Sequence, residues 1–272
     1  MNNCFSKALV TCVISFITAS SCIAGNHDDP SIDGLNGECT SPINATVRLL
    51  IVTGGHPYEP SEFFQAFGSM KGIKYDHVSL EDGHIVSVPP GGLLARYDVV
   101  LFYDYEMRGP TPEWSDLLKK ANGLVFLHHA LGSFPHWAGY NAIVGGHAYA
   151  KDDTGPLPDK PDQVWELNVK QEFTVVDREH PITCGIKSFT MVDELYDNFE
   201  VDPKAHILMT SAQHLRTPPA AWTWTYNGKR VVYLQPGHGV MYLPLDHGAT
   251  SYQNRIFLRI LNRSIMWSAG RL

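Results

Sequence analysis

The run Val47 to Val52, VRLLIV, closed by Thr53, Gly54 and Gly55, most restricts what this chain can fold into. It is apolar almost throughout rather than alternating, which predicts a strand covered on both faces. Pro60 to Met70 follows, with Phe63, Phe64 and Phe67 at helical spacing, so a strand leads into a helix through the loop TGGHPYE. The rhythm then repeats. IKYDHVSL forms a second strand, Tyr97 to Asp104 (YDVVLFYD) a third, and TPEWSDLLKKANG a helix with Pro112 at its start and Gly123 at its end. GLVFLHHA is the fourth strand, and KRVVYLQPGH, Lys229 to His238, returns to the same buried type. Strands alternating with helices predict an α/β fold: a parallel sheet whose right-handed crossovers lay helices on both faces.

The remaining segments extend this frame. From Trp165 onward the stretches VWELNV, EFTVV, KSFTMVDELY, HILMTSA and AAWTWTY are shorter and alternate, which predicts mixed or antiparallel strands added in the C-terminal half. YQNRIFLRILNRSIMWSA reads as a closing amphipathic helix with Ile256, Ile260 and Ile265 on its apolar side. Residues 1–24 have the form of an export signal: Lys7, then the uncharged ALVTCVISFITAS, then small residues. That run is shorter than the roughly 20 residues a bilayer span needs, so a periplasmic or secreted protein without a transmembrane span is expected. Lipid anchoring at Cys22 is the alternative ending, although Ala19 stands where such a cleavage box usually has a larger aliphatic residue. Residues 25–43 read as a flexible polar leader and 44–272 as one domain. Outside the signal region only Cys39 and Cys184 remain, one disulfide at most, with neither zinc-site spacing nor the flanks of a nucleophile.

Why should a buried strand end in two histidines? In an open parallel sheet the carboxyl ends of the strands border the crevice where ligands bind. Several segments place polar groups just past such strands: His56, then His128 and His129, Glu194 and Tyr196 in VDELYDN, and His238 in QPGHG, with His147 of IVGGHAY within reach. If the sheet is parallel, these loops meet at one rim. The net charge of -7 offers no footprint for nucleic acid, so a small molecule is the expected partner. A homo-oligomer is left open.

VTGGH (52–56), GLVFLHHALGSF (123–134), IVGGH (143–147), HPIT (180–183), DELY (193–196) and PGHG followed by RIFLRILNRSIMW together resemble the ThuA-like (trehalose utilisation) family. The resemblance covers about residues 47–268. It implies the flavodoxin-like sheet of the class I glutamine amidotransferase-like fold, and a role in saccharide use. Amidotransferases of that fold carry a cysteine on the turn after the fourth strand. Here that turn holds His128 and His129, so a glutaminase acting through a thiolate is excluded while the fold is kept.

Imidazoles and a carboxylate move protons near neutral pH, which suits elimination or hydrolysis beside a carbonyl. Sugar dehydrogenases often accompany this family, which implies an oxidised, 3-keto glycoside or related disaccharide as substrate. The residues expected to carry the chemistry are His128, His238, Glu194 and His129. Gly54, Gly55, His56, His147, Tyr196 and Trp222 are expected to line the sugar site, with Trp137 as a further aromatic surface. For Trp222, whose side chain shares one strand face with Trp224 in AWTWTY, core packing is the default reading and a sugar platform the alternative. No cofactor is required by this reading. A divalent metal (Zn, Mn or Fe) on ligands drawn from His56, His128, His147 and His238 is the rival use of the same cluster, although no compact motif such as H-E-x-x-H supports it. A non-catalytic sugar-binding module is the third reading. KDDTGPLPDKPDQ (151–163) suits an exposed loop near the crevice.

Overall fold

The computed structural model describes residues 46–149, 157, 159–212, 218–239 and 250–272. The export signal with Cys22, the leader with Cys39, and most of the 151–163 loop lie outside the described residues. In chain order the elements are β1 (Val47–Gly54), α1 (Pro60–Gly68), β2 (Ile73–Glu81), β3 (His84–Ser87), β4 (Tyr97–Asp104), α2 (Pro112–Leu117) and β5 (Ala121–Leu127). A 3-10 turn at His128–Gly132 leads to α3 (Gly139–Val144) and β6 (Gly146–His147). Then follow β7 (Val164–Val175), β8 (Phe189–Asp197), β9 (Glu200–Val201), β10 (His206–Ala212), β11 (Pro219–Tyr226), β12 (Lys229–Leu234) and α4 (Arg255–Ser268).

The main sheet has ten strands in the order β3-β2-β1-β4-β5-β12-β11-β10-β7-β8. Its centre, β2-β1-β4-β5-β12, is parallel throughout. Renumbered among themselves these five strands run 2-1-3-4-5, the flavodoxin order. β3 adds an antiparallel edge on one side, and β11, β10, β7 and β8 add antiparallel strands on the other. The continuous apolar runs follow from this arrangement. In β1, Leu49 and Ile51 join the cluster under α1 and α4, with Phe63, Phe67, Phe257 and Ile260, while Leu50 and Val52 join the opposite cluster under α2 and α3, with Trp114, Leu117, Tyr140 and Ile143. Alternate side chains enter different cores, and neither face tolerates polarity.

Two local expectations are corrected and one strand is added. The helix after the third strand ends at Leu117, because Ala121 already pairs with Tyr97 in the sheet. Gly123 is therefore a strand residue and not a helix cap. A Cβ there would lie 2.2 Å from the Ser268 carbonyl oxygen, so its bareness lets α4 pack onto β5. VWELNV and EFTVV are one strand, β7, bent at a register shift between Glu166 and Val169 where Asn168 takes a φ of 63°. β3 is an addition, formed by a tight hairpin with Asp82 and Gly83 both at positive φ. Helix ends follow local rules: Thr111 Oγ1 accepts from Trp114 N at 3.1 Å, and Asn254 Oδ1 accepts from Ile256 N and Phe257 N at 3.0 Å. Cys184 is disulfide-bonded. No helix among the described residues is long and apolar enough to cross a membrane.

Candidate functional site

The exits of β1, β5 and β12 bring His56, His128, His129 and His238 together. Ring centroids are 4.5 Å apart for His56 and His129, 5.7 Å for His56 and His238, and 5.3 Å for His128 and His238. Parallel strands explain this: their carboxyl ends all reach one rim, so residues far apart in sequence become neighbours there.

His128 begins the 3-10 turn at φ 55°, a left-handed conformation that costs a non-glycine residue about 1–2 kcal/mol. Bonds on both ring nitrogens hold it there. Nδ1–H donates to the Gln235 carbonyl at 2.7 Å, which directs Nε2 toward Glu194 Oε2 at 2.8 Å. The Tyr196 ring stacks on it at 4.7 Å.

Glu194 arrives from the far edge of the sheet. β8 is four strands from β12, yet the antiparallel extension curls back so that β8 bonds the loop after β12. Asp193 Oδ2 accepts from Gly237 N at 2.8 Å and its Oδ1 from His238 N at 3.0 Å, while Gln235 Nε2 donates to the Glu194 carbonyl at 2.8 Å. The hydroxyls of Tyr103 and Tyr252 both donate to the Gly237 carbonyl. Glu194 Oε2 thereby lies 2.8 Å from His128 Nε2 and 3.0 Å from His238 Nδ1, and those two nitrogens are 3.3 Å apart.

Three ligand-type atoms around one point can share either protons or a cation. Burial alone would raise the Glu194 carboxyl, but hydrogen bonds from His128 and His238 outweigh it and hold the group well below the usual carboxylate range. Burial alone would lower His128, and the Glu194 carboxylate overrides it, so the imidazolium is favoured. In the neutral tautomer whose Nδ1–H donates to Glu194, His238 Nε2 is an acceptor. That atom is buried and has no hydrogen-bond partner among the described residues. The same three atoms also suit a metal ion. Ligand bonds of about 2.0–2.2 Å set ligand-to-ligand spacings of roughly 3.0–3.4 Å in octahedral or tetrahedral sites. The His128 Nδ1–H bond to a backbone carbonyl is the support a ligating histidine usually has. His128, Glu194 and His238 are thus a group able to hold a metal ion.

The other expected residues divide. His129 is buried in the same cluster, between the rings of His56 and Tyr103, and among the described residues neither ring nitrogen has a hydrogen-bond partner within normal bonding geometry. Burial, then the neighbouring His128 and His56, push its pKa well below the ordinary value, so it is neutral. His56 is half-buried and is lowered chiefly by burial as well, with Nδ1 on the Pro57 carbonyl at 2.7 Å. His147 lies apart from the four rings. It packs between Tyr140 and Tyr149, its Nε2 bonds the Ser133 carbonyl at 2.9 Å, and burial lowers it to about 4. Neither His56 nor His147 belongs to the metal-type group.

Trp222 is a core residue: it is fully buried, packs on Tyr233 at 4.2 Å and donates its indole N–H to the Val144 carbonyl. Trp137 packs edge-on to Trp114 and Phe134 on the α2/α3 side of the sheet. Tyr196 is buried against His128 rather than presented to solvent. Gly54 and Gly55 serve loop packing, because a Cβ on Gly54 would lie 2.5 Å from the Leu80 carbonyl oxygen and one on Gly55 1.8 Å from that of Tyr105.

Tyr105 and Asp193 belong to the site although sequence reasoning passed over them. For Tyr105 the signal was present, since it follows a buried strand just as His56 and His128 do. For Asp193 it was not, because its value lies in bonds to a loop 44 residues away.

Solved structures share this architecture. A ThuA-like protein from Parabacteroides merdae superposes with a TM-score of 0.62 at 18% identity, covering 84% of this chain and 91% of that one. A ThuA-like protein from Bacteroides uniformis gives 0.54 at 18% identity, covering 85% and 95%. The carbohydrate deacetylase Agd3 gives 0.51 at 12% identity, with 83% of this chain matched to 33% of that one. No curated protein matches the chain. The family model for ThuA, trehalose utilisation, matches residues 48–268, which is nearly the whole described body, and the chain belongs to that family.

Proposed function

We propose that this protein cleaves an oxidised saccharide, a 3-keto glycoside or related disaccharide, by acid-base elimination followed by addition of water. The family supports a role in saccharide use. The observation that carries the chemistry is Glu194 Oε2 shared by His128 Nε2 and His238 Nδ1, which leaves His238 Nε2 buried, without a partner among the described residues, and suited to the role of general base. A ketone at C3 acidifies the C2–H bond. His238 Nε2 takes that proton, and the electron pair moves into an enolate whose charge rests on the C3 oxygen. Collapse of the enolate forms C1=C2 and breaks the C1–O glycosidic bond. The leaving oxygen takes the proton that His238 carries, and water then adds across C1=C2. Glu194 orients His238 as a triad carboxylate orients its histidine, while the His128 imidazolium keeps Glu194 ionised.

The test is incubation with 3-keto-trehalose and 3-keto-glucosides. The expected result is release of the second sugar or aglycone from the keto compounds and none from the unoxidised parents. Unchanged keto substrate overturns the proposal, and saturable binding without turnover would assign a sugar-binding module.

A metal-dependent hydrolase or lyase is the second reading, favoured by the ligand spacings of His128, Glu194 and His238. Elemental analysis of protein purified without chelator separates the two. Near-stoichiometric metal, lost together with turnover on chelation, selects the metal. Fewer than about 0.2 atoms per chain with full turnover removes it.

A further inference from the structure

His128, His129, Glu194 and His238 are each no more than 6% exposed, whereas His56 and Tyr105, packed around them, are half-buried. Those two residues therefore keep accessible surface beside the buried cluster. Tyr105 stands edge-on to His56 at 6.1 Å and to His129 at 6.2 Å. Its backbone is fixed by the bond from Tyr105 N to the Gly54 carbonyl at 2.9 Å. Its ring occupies space that Gly132 leaves open, since a Cβ on Gly132 would lie 2.8 Å from Tyr105 Cε2. Backbone and ring are therefore tightly placed, yet among the described residues the hydroxyl makes no hydrogen bond. Other tyrosines around the site do use theirs: Tyr103 and Tyr252 on Gly237, Tyr233 on the His128 carbonyl, and Tyr140 on Ala130. Burial and the nearby Glu194 push the Tyr105 phenol up to about 12, so it stays a proton donor. His56 is complementary. Its Nδ1–H donates to the Pro57 carbonyl, so in the neutral ring Nε2 is an acceptor.

From this arrangement we propose that Tyr105 and His56 form a subsite for an α-hydroxyketone, in which the Tyr105 O–H donates to the carbonyl oxygen and His56 Nε2 accepts from the adjacent sugar hydroxyl. This rests on the elimination reading and gives it the group it otherwise lacks. When the C2–H bond breaks, charge appears on the ketone oxygen, and a fixed neutral donor stabilises that oxygen more in the enolate than in the ketone. Tyr105 is then a catalytic residue, and the subsite prefers an oxidised sugar over its parent alcohol.

The experiment compares wild type with Tyr105→Phe, which keeps the ring that fills the space beside Gly132. Two readouts are taken on a 3-keto-glucoside: turnover, and exchange of the C2 hydrogen with deuterated water. Binding of the unoxidised glucoside is measured alongside. The expected result is a loss of about 10²-fold to 10³-fold in kcat, the usual effect of removing one oxyanion donor. Exchange should fall in parallel, with an unchanged pH profile and unoxidised-glucoside binding within about twofold of wild type. Wild type that turns over normally beside a Tyr105→Phe protein within about threefold of it overturns the subsite and leaves the elimination reading intact. Wild type with neither turnover nor exchange overturns the elimination reading and the subsite with it. A folded Tyr105→Phe protein that loses the unoxidised glucoside as strongly as the keto sugar assigns Tyr105 to general packing and also overturns the proposal.

Discussion

Asp104 closes β4 behind the site, with no exposed surface. Its Oδ2 accepts the Trp114 indole N–H at 2.7 Å, and its Oδ1 has no partner among the described residues. Burial is the largest influence on it and carries its pKa from the ordinary 3.8 to about 7. Asparagine is the nearest isostere of the protonated acid: it keeps a carbonyl oxygen for the indole and has no charge. The sign follows from linkage. Between pH 4 and 7 the unfolded chain has lost this proton and the folded chain retains it, so the group's contribution to stability falls as pH rises. Each pH unit in that interval is worth 1.36 kcal/mol. The full interval makes Asp104→Asn more stable than wild type by about 4 kcal/mol at pH 8, about 3 kcal/mol at pH 6 and close to nothing at pH 4. Urea unfolding followed by far-ultraviolet circular dichroism at those three pH values measures the difference directly. An Asp104→Asn advantage that is the same at all three values, or a variant less stable at pH 8, would refute the argument that burial keeps this carboxyl protonated.

Three further outcomes follow from the same structure. Glu194→Gln removes the charge that both imidazoles address, and turnover of a 3-keto glycoside should fall by about 10²-fold or more; a rate within threefold of wild type excludes Glu194 from the chemistry. Gly55→Ala places a Cβ 1.8 Å from the Tyr105 carbonyl oxygen at a φ of +68°. The backbone strain alone costs about 1–2 kcal/mol before the clash is added, so the melting temperature should drop by several degrees, and an unshifted melt contradicts the crossing of these two loops. Trp222→Phe opens a cavity in the core and removes the bond to Val144, so stability should fall by about 1–3 kcal/mol while KM stays unchanged. A large rise in KM without a loss of stability would return Trp222 to the sugar site.

Local pattern alone specified much of this molecule. A strand whose two faces enter different cores must be apolar at every position, so β1, β4, β5 and β12 are visible as continuous runs. Their alternation with helices leaves a parallel sheet as the economical way to bury them. A parallel sheet in turn sends every strand's carboxyl end to one rim, which is why the strand pattern alone groups His56, His128 and His238.

Strand order and curvature belong to the tertiary structure. Glu194 reaches His128 because four antiparallel strands curl β8 back over the exit of β12, and nothing in the DELY stretch encodes that path. Alternation in AWTWTY places two tryptophans on one strand face but is silent on whether that face meets a sugar or Tyr233. Glycines are equally ambiguous. Gly55 lets the Tyr105 backbone pass and Gly123 admits α4, and a missing side chain has meaning only through the atoms that arrive in its place. Periodicity records how buried a residue is. Which residues share that burial depends on contacts distant in sequence, and only the folded chain supplies them.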